Sequence, residues 1–294
     1  MRNFLKLEGK KVAESVQAEL VQERALFEKR AGRQPSLHVI LVGDNPASEV
    51  YVGHKEKLAR QLGFESRVWR FDAKITQSEL ETHVQQLVKD QTVDGILVQL
   101  PLPKPLRAQR IMSLIPIEKD VDGLTPEAFG LLAAGEAPAV ACTPAGVMEI
   151  LRYYKIPLQG KHAVVVGRSQ IVGKPMALLL LNADCTVTIC HSRTLDLKVW
   201  TRQADLVVAA AGQRHLLSSA DFKPGAVVVD VGIHRNPDQR LSGDVNPIGL
   251  ENVLSAATPV PGGVGPMTIM MLMKNTLSLA RLRAEKRQPP NGKR

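Results

Sequence analysis

A chain of 294 residues, 44% of them hydrophobic, can bury a substantial core in one large domain or two smaller ones, and two is the better reading. No apolar run approaches the roughly 20 residues that cross a bilayer, MRNFLKLEGKK at the start lacks the apolar core of a signal peptide, and Cys142, Cys185 and Cys190 form no CxxC pair, which argues for a cytoplasmic protein with reduced thiols. The net charge of +9 invites a nucleic-acid reading, but more than half of it lies in residues 281–294, and an aromatic content of 4% disfavours a base-stacking platform.

In chain order, residues 10–29 have helical character and Gly32 closes them; SLHVILV (residues 36–42) reads as a strand. Gly43-Asp44-Asn45-Pro46 turns the chain into a second helix with Pro46 near its start, running to about Leu62 and stopped by Gly63. RVWRF (67–71) is the next strand, residues 77–89 the next helix and GILVQL (95–100) a buried strand, a βαβαβ pattern. Pro101, Pro103 and Pro105 end that strand, because each removes a backbone donor, and leave a loop at its carboxyl end, where open α/β sheets bind ligands. A helix over residues 145–154 then opens a second cycle, HAVVVG, TVTIC, ADLVVAAAG and AVVVDVGI, which predicts a second parallel sheet. TPVPGGVGP (258–266) separates it from a last helix that begins near Met267 and returns to the first domain. The histidines show no HExxH or comparable ligand spacing, so no metal site is expected.

HAVVVG runs directly into Arg168-Ser169-Gln170-Ile171-Val172-Gly173-Lys174-Pro175. Ser169 stands where a regular GxGxxG has its second glycine, yet the context is that of a dinucleotide turn: a strand precedes it, Gly167 and Gly173 allow close approach, and Pro175 suits the first turn of a helix whose amino end attracts phosphate. A purely structural βα turn is the competing reading. At the end of the following strand, where an NAD-binding unit places an acid on the ribose hydroxyl, this chain has His191, Ser192 and Arg193. A hydroxyl and a guanidinium fork, with Arg168 beside them, suit the 2′-phosphate of NADP; a solvated strand-end arginine is the alternative.

Taken together, VGDNPASEVYVGHKEK (42–57), VQLPLP (98–103), KDVDG (119–123), TPAG (143–146), GRSQIVGKP (167–175), CHSRT (190–194) and PVPGGVGPMT (259–268) resemble the bifunctional methylenetetrahydrofolate dehydrogenase/cyclohydrolases of one-carbon metabolism along nearly the whole chain. The resemblance implies an α/β protein of two domains. Residues 1–144 plus 269–294 would form a three-layer folate-binding catalytic domain, and residues 145–268 a Rossmann-type NADP-binding domain. It further implies oxidation of 5,10-methylenetetrahydrofolate by NADP, hydrolysis of the methenyl product to 10-formyltetrahydrofolate, and a homodimer.

Tyr51 and Lys55 are four apart on one predicted helix and share a face. Read alone, Lys55 is a solvent-facing helix lysine; the resemblance makes it the acid/base group, with Tyr51 stacked on the folate ring and Gln99 orienting the lysine. Asp122 suits a plain turn equally well, and by resemblance its carboxylate faces the pterin, with Asp120 as the turn residue. Pro101, Leu102, Pro261, Gly262 and Gly263 complete the implied folate contacts; Gly167, Arg168, Ser169, Ile171, Val172, Ser192, Arg193, Ile233 and Thr143 are the implied NADP contacts. Thr143 and Thr268 could equally cap helices. The family often reads asparagine and then glycine where this chain has Ala128-Phe129-Gly130. Two rivals remain: a dehydrogenase without the hydrolytic step, disfavoured by the joint presence of Lys55 and Gln99, and a nucleic-acid-binding protein whose activity would vanish on deleting residues 283–294.

Overall fold

The computed structural model describes residues 4–287. A two-residue strand, β1 (Leu5–Lys6), precedes α1 (Gly9–Ala31), and the expected βαβαβ series follows as β2 (Ser36–Val42), α2 (Pro46–Gln61), β3 (Glu65–Phe71), α3 (Gln77–Lys89) and β4 (Gly95–Val98). Three short helices come next, α4 (Ala108–Met112), α5 (Pro126–Ala134) and α6 (Cys142–Tyr153). The second cycle comprises β5 (His162–Val166), α7 (Gly173–Asn182), β6 (Thr186–Cys190), α8 (Leu197–Thr201), β7 (Leu206–Ala209) and β8 (Val227–Asp230). A small hairpin of β9 (His234–Arg235) and β10 (Leu241–Ser242), then β11 (Ala256–Ala257) and α9 (Val264–Arg287), complete the described chain. Among the described residues no helix is long and apolar enough to cross a membrane.

Two compact units result. One comprises Val16–Val140 with residues 272–287. Its sheet is parallel in the order β3-β2-β4, with Val39 opposite both Val68 and Leu97. Every residue of β2 is buried, as befits a central strand covered on both faces, and Ile40 and Val42 pack with Leu80, Val84 and Leu87 of α3. Asn45 caps α2 by accepting from the Ser48 amide at 3.1 Å, and Thr76 and Glu79 form a reciprocal capping box at the start of α3. From α9, Asn275 donates to the carbonyls of Val121 and Val140, both at 2.9 Å, so the last helix does return to this unit.

The second unit contains Ala141–Met271 and residues 4–15. Its six strands run β1-β11-β8-β7-β5-β6, all neighbouring pairs parallel, with Val166 opposite both Cys190 and Ala209. Here the structure departs from the expected division: Leu5 and Lys6 pair with Ala256 and Ala257, so the beginning of the chain forms the edge of this sheet, whereas it was expected with residues up to 144 in the other unit. A strand this short carries no periodicity by which to be recognised.

Towards the basic end of the chain, Arg281 of α9 pairs with Glu23 at 2.9 Å while staying exposed, whereas Arg283 is buried with its Nε 3.7 Å from Asp94 and belongs to the fold. The QPPNGKR stretch lies outside the described residues. Lys119, in the KDVDG motif, is 1% exposed and donates to the carbonyls of Leu87, Val88 and Asp90 at 3.0, 2.8 and 2.6 Å, filling the carboxyl end of α3. Burial, and secondarily the Arg283 guanidinium, lowers its pKa to about 8.

His38, buried on β2, accepts from the Trp69 indole through Nδ1 at 3.1 Å, and burial brings its pKa from 6.5 to about 4. Because the folded value is the lower one, its contribution to stability is complete above pH 6.5 and is lost as the pH falls towards 4. Stability should drop by on the order of 1 kcal/mol per pH unit across that interval. His38→Asn keeps an acceptor for Trp69 and removes the titration, so urea midpoints measured from pH 7 to 4 should fall less steeply in the variant.

Candidate active site

In the unit built on β3-β2-β4, the loops at the carboxyl ends of β2 and β4 carry the first constellation. Gly43 takes a left-handed φ of +78° after β2, Asn45 caps and Pro46 opens α2, and the helix presents Tyr51 and Lys55 one turn apart. Tyr51 is 43% exposed and Lys55 only 8%. The Lys55 Nζ donates to Gln99 Oε1 at 2.9 Å, and Gln99 Nε2 donates to the Leu100 carbonyl at 2.8 Å. That second bond fixes which end of the amide meets the ammonium. The Gln99 amide nitrogen still bonds Ile40, at 2.9 Å, so the residue continues the β4 register before the chain turns at a cis Leu100-Pro101 bond.

Asp120 forms a single parallel bridge with Ile96, which sets the KDVDG segment beside β4. Its buried carboxylate accepts from the amides of Gly123 at 2.9 Å and Thr125 at 2.8 Å, and burial raises its pKa. Asp120 is thus committed to the turn, and the half-buried Asp122 is the carboxylate left available. Pro101 is exposed, while the side chain of Leu102 packs partly against the core around Ile40 and Leu80. Ala128 is buried in the first turn of α5, whose cap is Thr125, so the residue that departs from the family pattern points into packing.

In the other unit, Gly167, His191, Ala210 and Val231 leave the carboxyl ends of four neighbouring strands in register. The Gly167 amide donates to Cys190 at 2.8 Å, Ala210 to Val166 at 2.8 Å and Val231 to Ala209 at 2.8 Å. The glycines of GRSQIVG are required by close backbone approach: a Cβ at Gly167 would lie 2.1 Å from the Ala210 carbonyl oxygen, and one at Gly173 would lie 2.2 Å from that of Gly167. Ser169 accepts through Oγ from the amides of Val172 at 3.1 Å and Gly173 at 3.3 Å, so the serine in the irregular position fastens the start of α7. Arg168, Ser192 and Arg193 are exposed, and among the described residues neither arginine pairs with a carboxylate. The Arg193 amide donates to His191 Nδ1 at 3.1 Å, which shapes the turn after β6. Ile171 and Ile233, 50% and 49% exposed, add apolar surface to the same edge. Two unpaired guanidiniums, a hydroxyl and a glycine turn at a helix start are the donor set that a phosphorylated dinucleotide needs, so the residues fit NADP.

Thr143 and Thr268 do not cap helices. Thr143 lies inside α6, whose cap is Ala141, Thr268 lies inside α9, and the two hydroxyls are 3.0 Å apart. Helix α6 therefore begins at Cys142, earlier than expected, with Pro144 in its first turn where no amide partner is needed. Pro261 follows a cis bond and is exposed, Gly262 takes a φ of +97°, and Gly263 is buried. All three cysteines are buried and none forms a disulfide.

Comparison with known proteins gives matching results for both units. The profile described as "Tetrahydrofolate dehydrogenase/cyclohydrolase, catalytic domain" matches residues 7–122, and that of the NAD(P)-binding domain of the same family matches residues 141–284. A relative from Bdellovibrio bacteriovorus, bifunctional protein FolD, is 53% identical over 95% of this chain and 97% of its own length. The crystal structure of the bifunctional FolD enzyme from Campylobacter jejuni superposes with a TM-score of 0.93 at 46% identity, covering 95% of this chain and 99% of that one. The Trypanosoma brucei enzyme, solved with NADP cofactor and inhibitor, gives a TM-score of 0.92 at 40% identity, covering 98% of this chain and all of that one.

Proposed function

The chain belongs to the tetrahydrofolate dehydrogenase/cyclohydrolase family, and on that premise we propose how its residues divide the work. The protein oxidises 5,10-methylenetetrahydrofolate with NADP to the methenyl compound and hydrolyses that to 10-formyltetrahydrofolate. The observation that carries the assignment of roles is the Lys55–Gln99 hydrogen bond of 2.9 Å, a nearly buried ammonium oriented by a locked amide beside an exposed tyrosine.

Lys55 is the proton carrier. In hydrolysis, the oxygen of water adds to the cationic methenyl carbon and one carbon–nitrogen bond opens to leave the formyl carbonyl; of the two water protons, one is passed by Lys55 to the departing nitrogen and the other is released to solvent. Gln99 holds the lysine amine in line through Oε1. Tyr51 offers its ring face to the pterin, and Asp122 accepts from the pterin N–H and amino donors. Pro101 and Leu102 shape the folate contacts. NADP, when bound, accepts the hydride; Arg168, Ser192 and Arg193 take its 2′-phosphate, Gly167, Ser169, Ile171 and Val172 its pyrophosphate side, and Ile233 and Thr143 its remaining surface.

The exposed edge strand β6, bearing Ile189 at 42% exposure, supports a homodimer, and three reduced thiols support a cytoplasmic setting. NADP reduction dependent on methylenetetrahydrofolate, followed by methenyltetrahydrofolate decay with and without protein, tests both steps. Equal decay in the two samples would leave only a dehydrogenase. Arg193→Ala should raise KM for NADP about tenfold, the cost of one exposed charge-assisted phosphate contact, while methenyltetrahydrofolate hydrolysis is unchanged. An unaltered KM would remove Arg193 from the phosphate site.

A further inference from the structure

A group of buried acids lies at the carboxyl edge of the dinucleotide-binding sheet and takes no part in the assignments above. Asp230 ends β8, and Asp244 follows β10 by two residues; they are 5% and 0% exposed. Asp230 accepts from the amides of Gly232, Asp244 and Val245 at 2.9, 3.0 and 2.9 Å. Asp244 accepts through Oδ2 from the amides of Ala211 at 2.6 Å and Gly212 at 2.9 Å, and its Oδ1 lies 2.8 Å from His234 Nε2. The adjacent glycines make room for the acids: a Cβ at Gly243 would lie 1.9 Å from Asp230 Oδ2, and one at Gly232 would lie 2.3 Å from Asp244 Oδ1. Burial, with Asp244 as a lesser contributor, lifts the Asp230 pKa to about 6 against the pull of its three amide donors.

One carboxylate therefore ties two segments that leave neighbouring strands. Its Oδ2 holds the amides after β7, and its Oδ1 holds the histidine next to Ile233. The His234 segment has little else to fix it, since β9 and β10 pair over two residues each, and an isolated hairpin is marginal in water. A carboxylate only accepts, so His234 carries a proton on Nε2 and donates. Ile233, whose backbone this bond anchors, stands half-exposed at the edge, and its Cδ1 is 3.8 Å from a Cβ placed on Gly265.

We propose that His234, bonded to Asp244, is a positioning residue for the dinucleotide: it sets Ile233 and, through the shared carboxylate, the Ala211 and Gly212 amides, without touching the ligand itself. The proposal rests on the reading that this sheet edge holds NADP. The test uses the full chain and three variants. The His234 side chain is 22% exposed, so His234→Ala is compatible with folding. It should raise KM for NADP by about fivefold to tenfold with kcat unchanged, beside the modest fall in thermal midpoint that follows when the buried Asp244 loses one donor. His234→Gln, whose side-chain amide can donate to Asp244, should restore KM to within about twofold. An unchanged KM in His234→Ala, an equal loss in His234→Gln, or a comparable loss of kcat overturns the proposal. Arg193→Ala, measured in parallel, separates the two readings: if it raises KM while His234→Ala does not, the positioning role falls and the NADP edge stands; if neither does, both fall.

Discussion

Replacing Lys55 by methionine should slow methenyltetrahydrofolate hydrolysis by about 10²- to 10⁴-fold, the range of a positioned acid/base group. Methionine keeps the length and most of the volume of the lysine stem, which is 8% exposed on α2, so packing against that helix is retained and the thermal midpoint should hold. What disappears is the ammonium that Gln99 Oε1 orients at 2.9 Å, and with it the relay between attacking water and departing nitrogen. Gln99→Ala should act in the same direction with a smaller effect, because it frees the lysine without removing it. The measurement is the first-order loss of methenyltetrahydrofolate absorbance above the uncatalysed rate, beside NADP reduction. Full activity of Lys55→Met in both steps would defeat the assignment.

The residues that could be read in advance share one property: their chemistry is local in sequence. The apolar run of β2, the Asn45-Pro46 start of α2 and the Thr76–Glu79 box of α3 each announce an element within a few positions. The pairing of Lys55 with Gln99 spans 44 residues and was available only through resemblance, since on periodicity Lys55 is one more helix lysine. Lys119 and Asp94 were illegible for a related reason: a buried charge is visible only when its distant carbonyls or guanidiniums are in place. The irregular turn GRSQIVG is the intermediate case. Its glycines are legible as close approaches, but the bonds from the Val172 and Gly173 amides to Ser169 Oγ need the folded loop. Asp230 and Asp244 leave only a faint trace, an acid closing the apolar run VVVD and another set between glycine and valine.

Asp94→Ala should cost about 3 kcal/mol of stability in the unit built on β3-β2-β4. The carboxylate is fully buried and accepts from Arg33 through both oxygens, at 2.5 and 2.7 Å, and from the Ser36 amide at 3.0 Å, with Arg283 Nε 3.7 Å away. Arg33 is 28% exposed and can recover water when its partner is removed, which limits its share of the loss. Arg283, 7% exposed, cannot, and the Ser36 amide loses a buried acceptor. The surface pair Arg60–Glu56, with the arginine 69% exposed, supplies the contrast: Glu56→Ala should change stability by less than about 0.5 kcal/mol. Urea unfolding followed by a probe in this unit distinguishes the two, and equal midpoints for Asp94→Ala and Glu56→Ala would show that the buried acid does not anchor the fold. The same contact governs how the basic end of the chain can be tested. Deleting residues 283–294 would remove Arg283 from Asp94 and confound nucleic-acid retention with unfolding, so a deletion that tests the charge alone must begin after Arg287, the last described residue of α9.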